Sequence, residues 1–471
     1  MKVAFVASEA ENYAIMLFSA ILKKAGHEVY LIFDPRLFQN DEISNGFLAR
    51  AFDIRKQNIQ KLKSIKPDLI GFSVYTQDYQ WALSFAKMIK KEMSTPIIFG
   101  GIHAILCWEQ IIKEDCVDIV CAGEGERFFS HLDQEEIEDK KVIPPGPLVQ
   151  DLDSLPFLDR DLFYDQKPVF KRDYTISTGR GCPYQCTFCA SSALNKFYQD
   201  NKLGKYVRQR SVNNVIEELI IAKAKYNPRS IYFTDDVFTM NITWLHDFTR
   251  KYAFNIGLPF YCTANPGTIK DEELHLLKEA GCQMIGFGMQ SCNEEFRKTI
   301  LKRSGSNDKI RHTATLCHDL GLHFSLDHIF GIPGDTEANQ NEALKFYADT
   351  RPDVINTFTM TYLPKIELNK YLDEDTKGEV ENGKMRTSML NRNNNTYLGM
   401  FSILPLLPAS VVNFIINKNL SRWFRIPFSA RLFFKDIKRL QIGRYSDVFF
   451  PIRLLLTNIK DNLRIKWTRQ I

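Results

Sequence analysis

Cys182, Cys186 and Cys189 lie within one short run, Gly179-Arg180-Gly181-Cys182-Pro183-Tyr184-Gln185-Cys186-Thr187-Phe188-Cys189. A loop of that length can fold three thiolates onto one inorganic cubane, and thiolate sulfur is the soft donor that iron–sulfur clusters prefer. Three protein ligands on a [4Fe–4S] cluster leave one iron open to a further ligand. The glycines before Cys182 let the backbone come close to such a cluster. Zinc is the competing reading. A three-cysteine zinc site usually has a fourth Cys or His nearby; none lies in this loop, so His103 or a distant Cys would have to complete it. Three unliganded, buried thiols are the remaining option.

Such a loop needs a scaffold to hold it. The chain has 471 residues, 44% hydrophobic and 25% charged, which predicts several folded units rather than a disordered chain. Ten cysteines are too sparse for a secreted disulfide framework, so a reducing cytoplasm is expected. Neither a signal-peptide pattern nor a run of eighteen apolar residues occurs. Apolar runs predict strands at Val3–Ala7, Val29–Phe33, Leu69–Val74, Pro96–Gly100 and Val117–Cys121, with helices at Met16–Ala25 and Tyr79–Met93. This alternation implies a doubly wound parallel sheet, whose ligands sit at the carboxyl ends of the strands. There stand Ser73, Tyr75 and Thr76, then Gly100, Gly101 and His103, then Gly123, Glu124 and Gly125.

A proline-bearing stretch over 141–171 reads as a linker on the surface. From Tyr174 the rhythm restarts, with six further strands (Tyr174–Ser177, Ser230–Thr234, Pro259–Thr263, Met284–Gly288, His323–Ile329, Val354–Met360) and five helices between them. Six such units predict a partial (β/α)6 barrel over 172–365, after an N-terminal domain over 1–140. Residues 366–471 read as a mainly helical region. From Phe401 onward thirteen Lys and Arg face three Asp, a net +10, which leaves about −5 on the preceding residues.

The cysteine loop resembles the cluster signature of the radical S-adenosylmethionine superfamily. The resemblance implies a [4Fe–4S] cluster on the three cysteines, with S-adenosylmethionine bound to the open iron and cleaved to a 5′-deoxyadenosyl radical. It places Phe188 beside the adenine. The segments holding Asp235-Asp236, Gln290 and Gly331-Ile332 are similar to later stretches of the same family and imply cosubstrate contacts there. Relatives carry Glu where Gln290 stands, and an amide brings no negative charge. The plainer role for Asp235 and Asp236 is helix capping.

The N-terminal sheet joined to this loop resembles the cobalamin-binding branch of the superfamily. That likeness implies cobalamin on Ser73, Tyr75, Thr76, Gly100, Gly101, His103, Gly123, Glu124 and Gly125, although no Asp-x-His occurs to supply a cobalt ligand. His103 could equally be a hydrogen-bonded turn residue, Glu124 and Glu126 could reach across to the second domain or lie in solvent, and the whole sheet could be a packing lid. By analogy the reaction is methylation of an unactivated carbon; the alternatives are oxidative cyclisation or rearrangement, or a non-catalytic iron–sulfur or zinc scaffold or electron carrier. The expected partners are a small or lipid-like substrate and an external electron donor such as flavodoxin or ferredoxin. Arg422-Trp423-Phe424-Arg425 and Arg431-Leu432-Phe433-Phe434-Lys435 suit an anionic membrane surface or a structural cap better than nucleic acid, which predicts a cytoplasmic protein with peripheral membrane contact.

Overall fold

The computed structural model describes residues 1–39, 45–134, 140–384, 386–388, 392–418, 420 and 459–460; the basic aromatic motifs of the tail lie outside the described residues. The first apolar runs form β1 (Lys2–Ser8), β2 (Glu28–Asp34), β3 (Leu69–Ser73), β4 (Ile97–Gly100) and β5 (Ile119–Cys121). A sixth strand, β6 (Lys141–Ile143), pairs with β5 where charge alone predicts no strand. All six are parallel, in the order β2-β1-β3-β4-β5-β6. The middle of β1 is buried throughout rather than at alternate residues, as helices on both faces of a parallel sheet require.

Those helices are α1 (Tyr13–Lys24), α2 (Gly46–Ala51), α3 (Arg55–Ile65), α4 (Tyr79–Lys90), α5 (Ile102–Ile111) and α6 (Glu126–Ser130). Helix α1 starts three residues before the apolar periodicity predicts, because the Asn12 side chain accepts from Ile15 N–H and caps it. Helix α5 occupies a stretch for which the apolar periodicity predicts no helix. It starts directly after Gly101, whose φ of +94° and close approach to Val74 (a Cβ would lie 2.7 Å from the Val74 N and O) admit glycine alone.

The later part of the segment expected to lie on the surface, around 160–170, is a buried wedge. Within and beside α7 (Asp161–Tyr164), Phe163 and Tyr164 are fully buried. Arg160 is sealed between Glu11 (3.1 Å) and Glu218 (3.7 Å), with the rings of Tyr13 and Tyr174 stacked on its guanidinium. Prolines mark this stretch as non-helical, but its aromatic residues have an apolar seam to fill between the two sheets.

The second sheet is built from β7 (Asp173–Ile176), β10 (Ser230–Phe233), β11 (Phe260–Ala264), β12 (Cys282–Gln290), β13 (His323–Phe330) and β14 (Val354–Thr359), with a short antiparallel pair, β8 (Gly179–Arg180) and β9 (Arg208–Gln209), at its mouth. The six long strands are parallel in the order β14-β13-β12-β11-β10-β7, an open barrel. Around them run α8 (Ala190–Asp200), α9 (Val212–Tyr226), α10 (Ile242–Asn255), α11 (Asp271–Glu279), α12 (Glu294–Thr299), α13 (Asn307–Leu320) and α14 (Glu337–Thr350). Ser211, Asn241, Ser306 and Thr336 cap α9, α10, α13 and α14 by accepting from backbone N–H groups three residues on. Parallel βα units of this kind deliver every strand's carboxyl end to one mouth.

Beyond the barrel come β15 (Thr361–Tyr362), α15 (Glu374–Glu381), β16 (Arg386–Thr387), α16 (Arg392–Ile403) and α17 (Ala409–Asn417). Phe401 of α16 inserts against His328 and Tyr347, with ring centroids 5.0 and 5.1 Å away. Its burial contributes about 2–3 kcal/mol, so residues 392–418 act as a structural cap on the last βα unit.

Candidate functional site

The three cysteines sit on the loop that leaves β8 and enters α8, with Cys189 as the residue preceding that helix. All three are free thiols. Gly179 and Gly181 let the loop pass under its neighbours: a Cβ would lie 2.6 Å from the Arg208 carbonyl oxygen at Gly179 and 2.7 Å from that of Tyr206 at Gly181, where φ is +84°. The far side of the loop is pinned by Thr187, whose N–H and hydroxyl donate to the carbonyls of Leu301 (3.2 Å) and Ile300 (2.7 Å). Burial pushes the Cys182 thiol up to about 12, and the nearby charges of Asp236, Cys189 and Cys186 add to the rise. Such thiols bind iron with release of their protons. Among the described residues no three Cys, His, Asp or Glu side chains converge on a point where one ion would sit. A cubane makes no such demand, because each thiolate serves a different iron.

Asp235 and Asp236 part company at the end of β10. The Asp235 carboxylate is buried and accepts from Thr178 N–H (3.0 Å) and Oγ1–H (2.9 Å), which ties β10 to the strand end that leads into the cysteine loop. Burial raises its carboxyl to about 6 against those hydrogen bonds. Asp236 opens into the mouth beside Ser191 of α8, close enough for its charge to act on Cys182 and Cys189; enclosure by the walls raises its carboxyl too. Phe188 packs on an apolar cluster that contains Leu301, Ile332 and Tyr362. The Gly331 carbonyl accepts from the Tyr362 hydroxyl at 3.1 Å. Gln290 ends β12 at a register shift with φ +71°, and its Oε1 is buried with no partner among the described residues. Phe188 and Ile332 therefore share one apolar cluster at the cysteine loop, Asp236 faces two of its thiols, Gln290 lies beside Gly288 and Arg303, and Asp235 supports the loop from behind.

A cavity of about 640 Å³ lies between the two sheets. It is lined by Ser73, Tyr75, Gly100, Gly101, Gly123, Glu124 and Gly125 from the first sheet and by Gly179, Arg180 and Gly181 from the approach to Cys182. Phe5, Leu17, Phe18, Ile98 and Phe129 make one end apolar. Thr76 and His103 do not line it. Helical periodicity turns Ile102 and Ile105 of α5 into the cavity and His103 away, where it is fully buried, bonds to the Thr76 hydroxyl at 3.0 Å and stacks on Tyr79. Burial lowers its imidazole to about 4. Glycines 101, 123 and 125 answer first to the protein's own packing: a Cβ would meet Val74, Pro145 or Phe18 within 2.8 Å.

Glu124 and Glu126 reach across to the barrel. Glu124 binds both terminal nitrogens of Arg208 (2.6 and 3.0 Å), and Arg180 bridges Glu126 (2.6 Å) and Glu124 (3.1 Å). Burial would raise the Glu124 carboxyl, but the two arginines hold it below its ordinary value. The wall of the cavity and the approach to the cysteine loop are thus one electrostatic unit.

Sequence comparison agrees with this pairing of sheets. The B12 binding domain family matches residues 3–133, and the Radical SAM superfamily matches residues 176–347. The chain thus carries a B12 binding domain followed by a radical SAM domain. It is 28% identical over 345 residues to an uncharacterized methyltransferase of Pyrococcus horikoshii, spanning 68% of this chain and 73% of that one. It is 23% identical over 346 residues to the anaerobic magnesium-protoporphyrin IX monomethyl ester cyclase of Rubrivivax gelatinosus, spanning 67% and 60%. The fold is similar to that of the radical S-adenosylmethionine methyltransferase TsrM from Kitasatospora setae, solved with cobalamin and a [4Fe–4S] cluster, with TM-score 0.58, 17% identity and coverage of 78% and 76%.

A radical SAM domain implies a [4Fe–4S] cluster and S-adenosylmethionine, and a B12 binding domain implies cobalamin. The residues present fit them. Three free thiols share one glycine-cradled loop, and the cavity joins an apolar end to a rim of backbone and polar groups. Arg303 carries no spacing signal that sequence reasoning could use. It stands 117 positions from Cys186, yet its Nη1 lies 3.4 Å from the Cys186 Sγ. Among the described residues no helix is long and apolar enough to cross a membrane.

Proposed function

We propose that this radical SAM enzyme methylates an unactivated carbon of a small or lipid-like substrate. The observation that carries the reading is a cavity whose walls come both from the carboxyl ends of the cobalamin-type sheet and from the approach to Cys182. When bound, the cluster with S-adenosylmethionine supplies a hydrogen-abstracting radical, and cobalamin supplies the methyl group. Cys182, Cys186 and Cys189 hold the cluster. Phe188, Asp236, Gln290, Gly331 and Ile332 bind the cosubstrate, and Asp235 positions the loop through Thr178. Ser73, Tyr75, Gly100, Gly101, Gly123, Glu124 and Gly125 line the cobalamin site, while His103 and Thr76 brace α5 from behind. The buried Arg160 wedge keeps water from the seam between the sheets. Electrons come from an external donor such as flavodoxin or ferredoxin.

A second reading, oxidative cyclisation or rearrangement, draws support from the likeness to the Rubrivivax cyclase. Anaerobic protein loaded with iron, sulfide and hydroxocobalamin, then given dithionite and S-adenosylmethionine labelled in its methyl group, separates the two. Methyl transfer predicts S-adenosylhomocysteine and label in the protein-bound corrinoid. 5′-Deoxyadenosine with no label transferred supports cyclisation, and a chain that binds iron but no cobalt overturns both.

A further inference from the structure

The cluster loop is flanked by three arginines that differ in how their charge is spent. Arg180 and Arg208 are neutralised by Glu124 and Glu126. Arg303 is not: among the described residues no carboxylate pairs with it, and its Nη1 donates to the Cys186 Sγ at 3.4 Å. Its position is tightly set. The Arg303 N–H donates to the Arg297 carbonyl at 3.0 Å. Arg297 is itself buried and bonds to the carbonyls of Ser291 (2.8 Å) and Gly305 (2.7 Å). The Arg303 guanidinium then crosses the face of β12 at Gly288, where a Cβ would come within 2.8 Å of its Nη2. A side chain at 288 would meet the Arg303 Nη2 and the Gln290 Nε2, both at 2.8 Å, and so crowds the space the guanidinium occupies on its line to Cys186.

We propose that Arg303 is a positioning residue that makes the cluster easier to reduce, acting through its hydrogen bond to the Cys186 sulfur, and that Gly288 clears the space its guanidinium needs. Reduction adds one electron from an external donor and one negative charge to the cluster, with no bond made or broken. A guanidinium stays cationic throughout and bonds more strongly to a more negative sulfur. It therefore stabilises the reduced state more than the oxidised one, and hydrogen bonds to ligand sulfurs are among the levers that set cluster potentials. The contact reaches Cys186 alone. Cys182 and Cys189 face the opposite influence, the carboxylate of Asp236.

The inference rests on the cluster, and not on methyl transfer, so its test omits substrate and cobalamin. The full chain, purified and loaded with iron and sulfide without oxygen, is titrated with dithionite while the reduced-cluster spectrum is recorded by electron paramagnetic resonance. Arg303→Met and Gly288→Ala are expected to hold about four irons per chain. At the wild-type midpoint, their ratio of reduced to oxidised cluster should fall about tenfold, a shift on the order of 59 mV for one electron. Arg303→Lys should recover part of that loss. An unchanged midpoint in either fully loaded variant overturns the proposal. If Arg303→Met fails to hold iron, Gly288→Ala and Arg303→Lys decide by the same midpoint. Loss of iron in all three would assign Arg303 to building the loop and also overturn it. Wild-type protein with no cluster spectrum would instead sink the radical SAM reading itself.

Discussion

Replacing Asp235 by Asn tests whether this carboxylate supports the cysteine loop from behind. Burial raises its carboxyl from the ordinary 3.8 to about 6, with the Thr178 hydrogen bonds opposing the rise. For an acid raised in this way, the stabilising contribution is fully present below the unfolded value and is lost as pH climbs through the folded one. The whole loss is on the order of 3 kcal/mol at 1.36 kcal/mol per unit, and about 2.4 kcal/mol of it falls between pH 4 and 7. Asn does not titrate, but its amide oxygen can still accept from Thr178. The stability of Asp235→Asn relative to wild type should therefore rise by about 2.4 kcal/mol from pH 4 to pH 7. Urea unfolding of the cluster-free chain at several pH values, followed by tryptophan fluorescence, measures the difference directly. Asp235→Ala removes the acceptor and strands the Thr178 donors, at about 1–3 kcal/mol each. A difference between Asn variant and wild type that stays flat with pH would refute the reasoning, since it would mean that the hydrogen bonds already cancel the burial.

Arg208→Met leaves Glu124 with only the longer contact to Arg180 and should cost about 3 kcal/mol in urea unfolding. Adding Glu124→Gln should restore part of that, because no carboxylate is then left stranded in the interface. His103→Gln should leave hydroxocobalamin affinity within about threefold of wild type by equilibrium dialysis, whereas Ile105→Asp, on the cavity face of the same helix, should weaken it by at least about tenfold, or 1.4 kcal/mol. The exposed Val411 and Phe414 on α17 adjoin a tail of net positive charge, so the full chain should co-sediment with vesicles containing anionic lipid and release at high salt. Equal binding to neutral vesicles would count against that contact.

The strands were legible because both faces of a parallel sheet are buried, so each one shows as an apolar run. β1, β3 and β13 fall within a residue or so of where such runs predict them. The cysteine loop was legible because its spacing is local. What escaped was carried by tertiary contacts with no local trace. Gly101 stands out as a glycine, but only the fold shows that it starts α5 against Val74 and so rotates His103 out of the cavity. Prolines over 141–171 suggest a surface linker, yet Arg160 finds two carboxylates there that are distant in sequence.

The two acidic residues at the end of β10 show the same limit at the scale of one peptide bond. Sequence likeness treats Asp235 and Asp236 as a pair, but successive side chains at a strand end point to opposite sides. One must therefore look inward to Thr178 and the other outward to Ser191 and the thiols. The inward residue has no route to a cosubstrate and works on the geometry of the loop, and the outward one sets its electrostatics. Asp236 brings negative charge to two of the thiols, while Arg303 brings positive charge to the third. Opposed charges on two sides of one cluster would make its three thiolates electronically unequal before any cosubstrate arrives, and Arg303, the one cation in that pair, would tip the balance towards the reduced state.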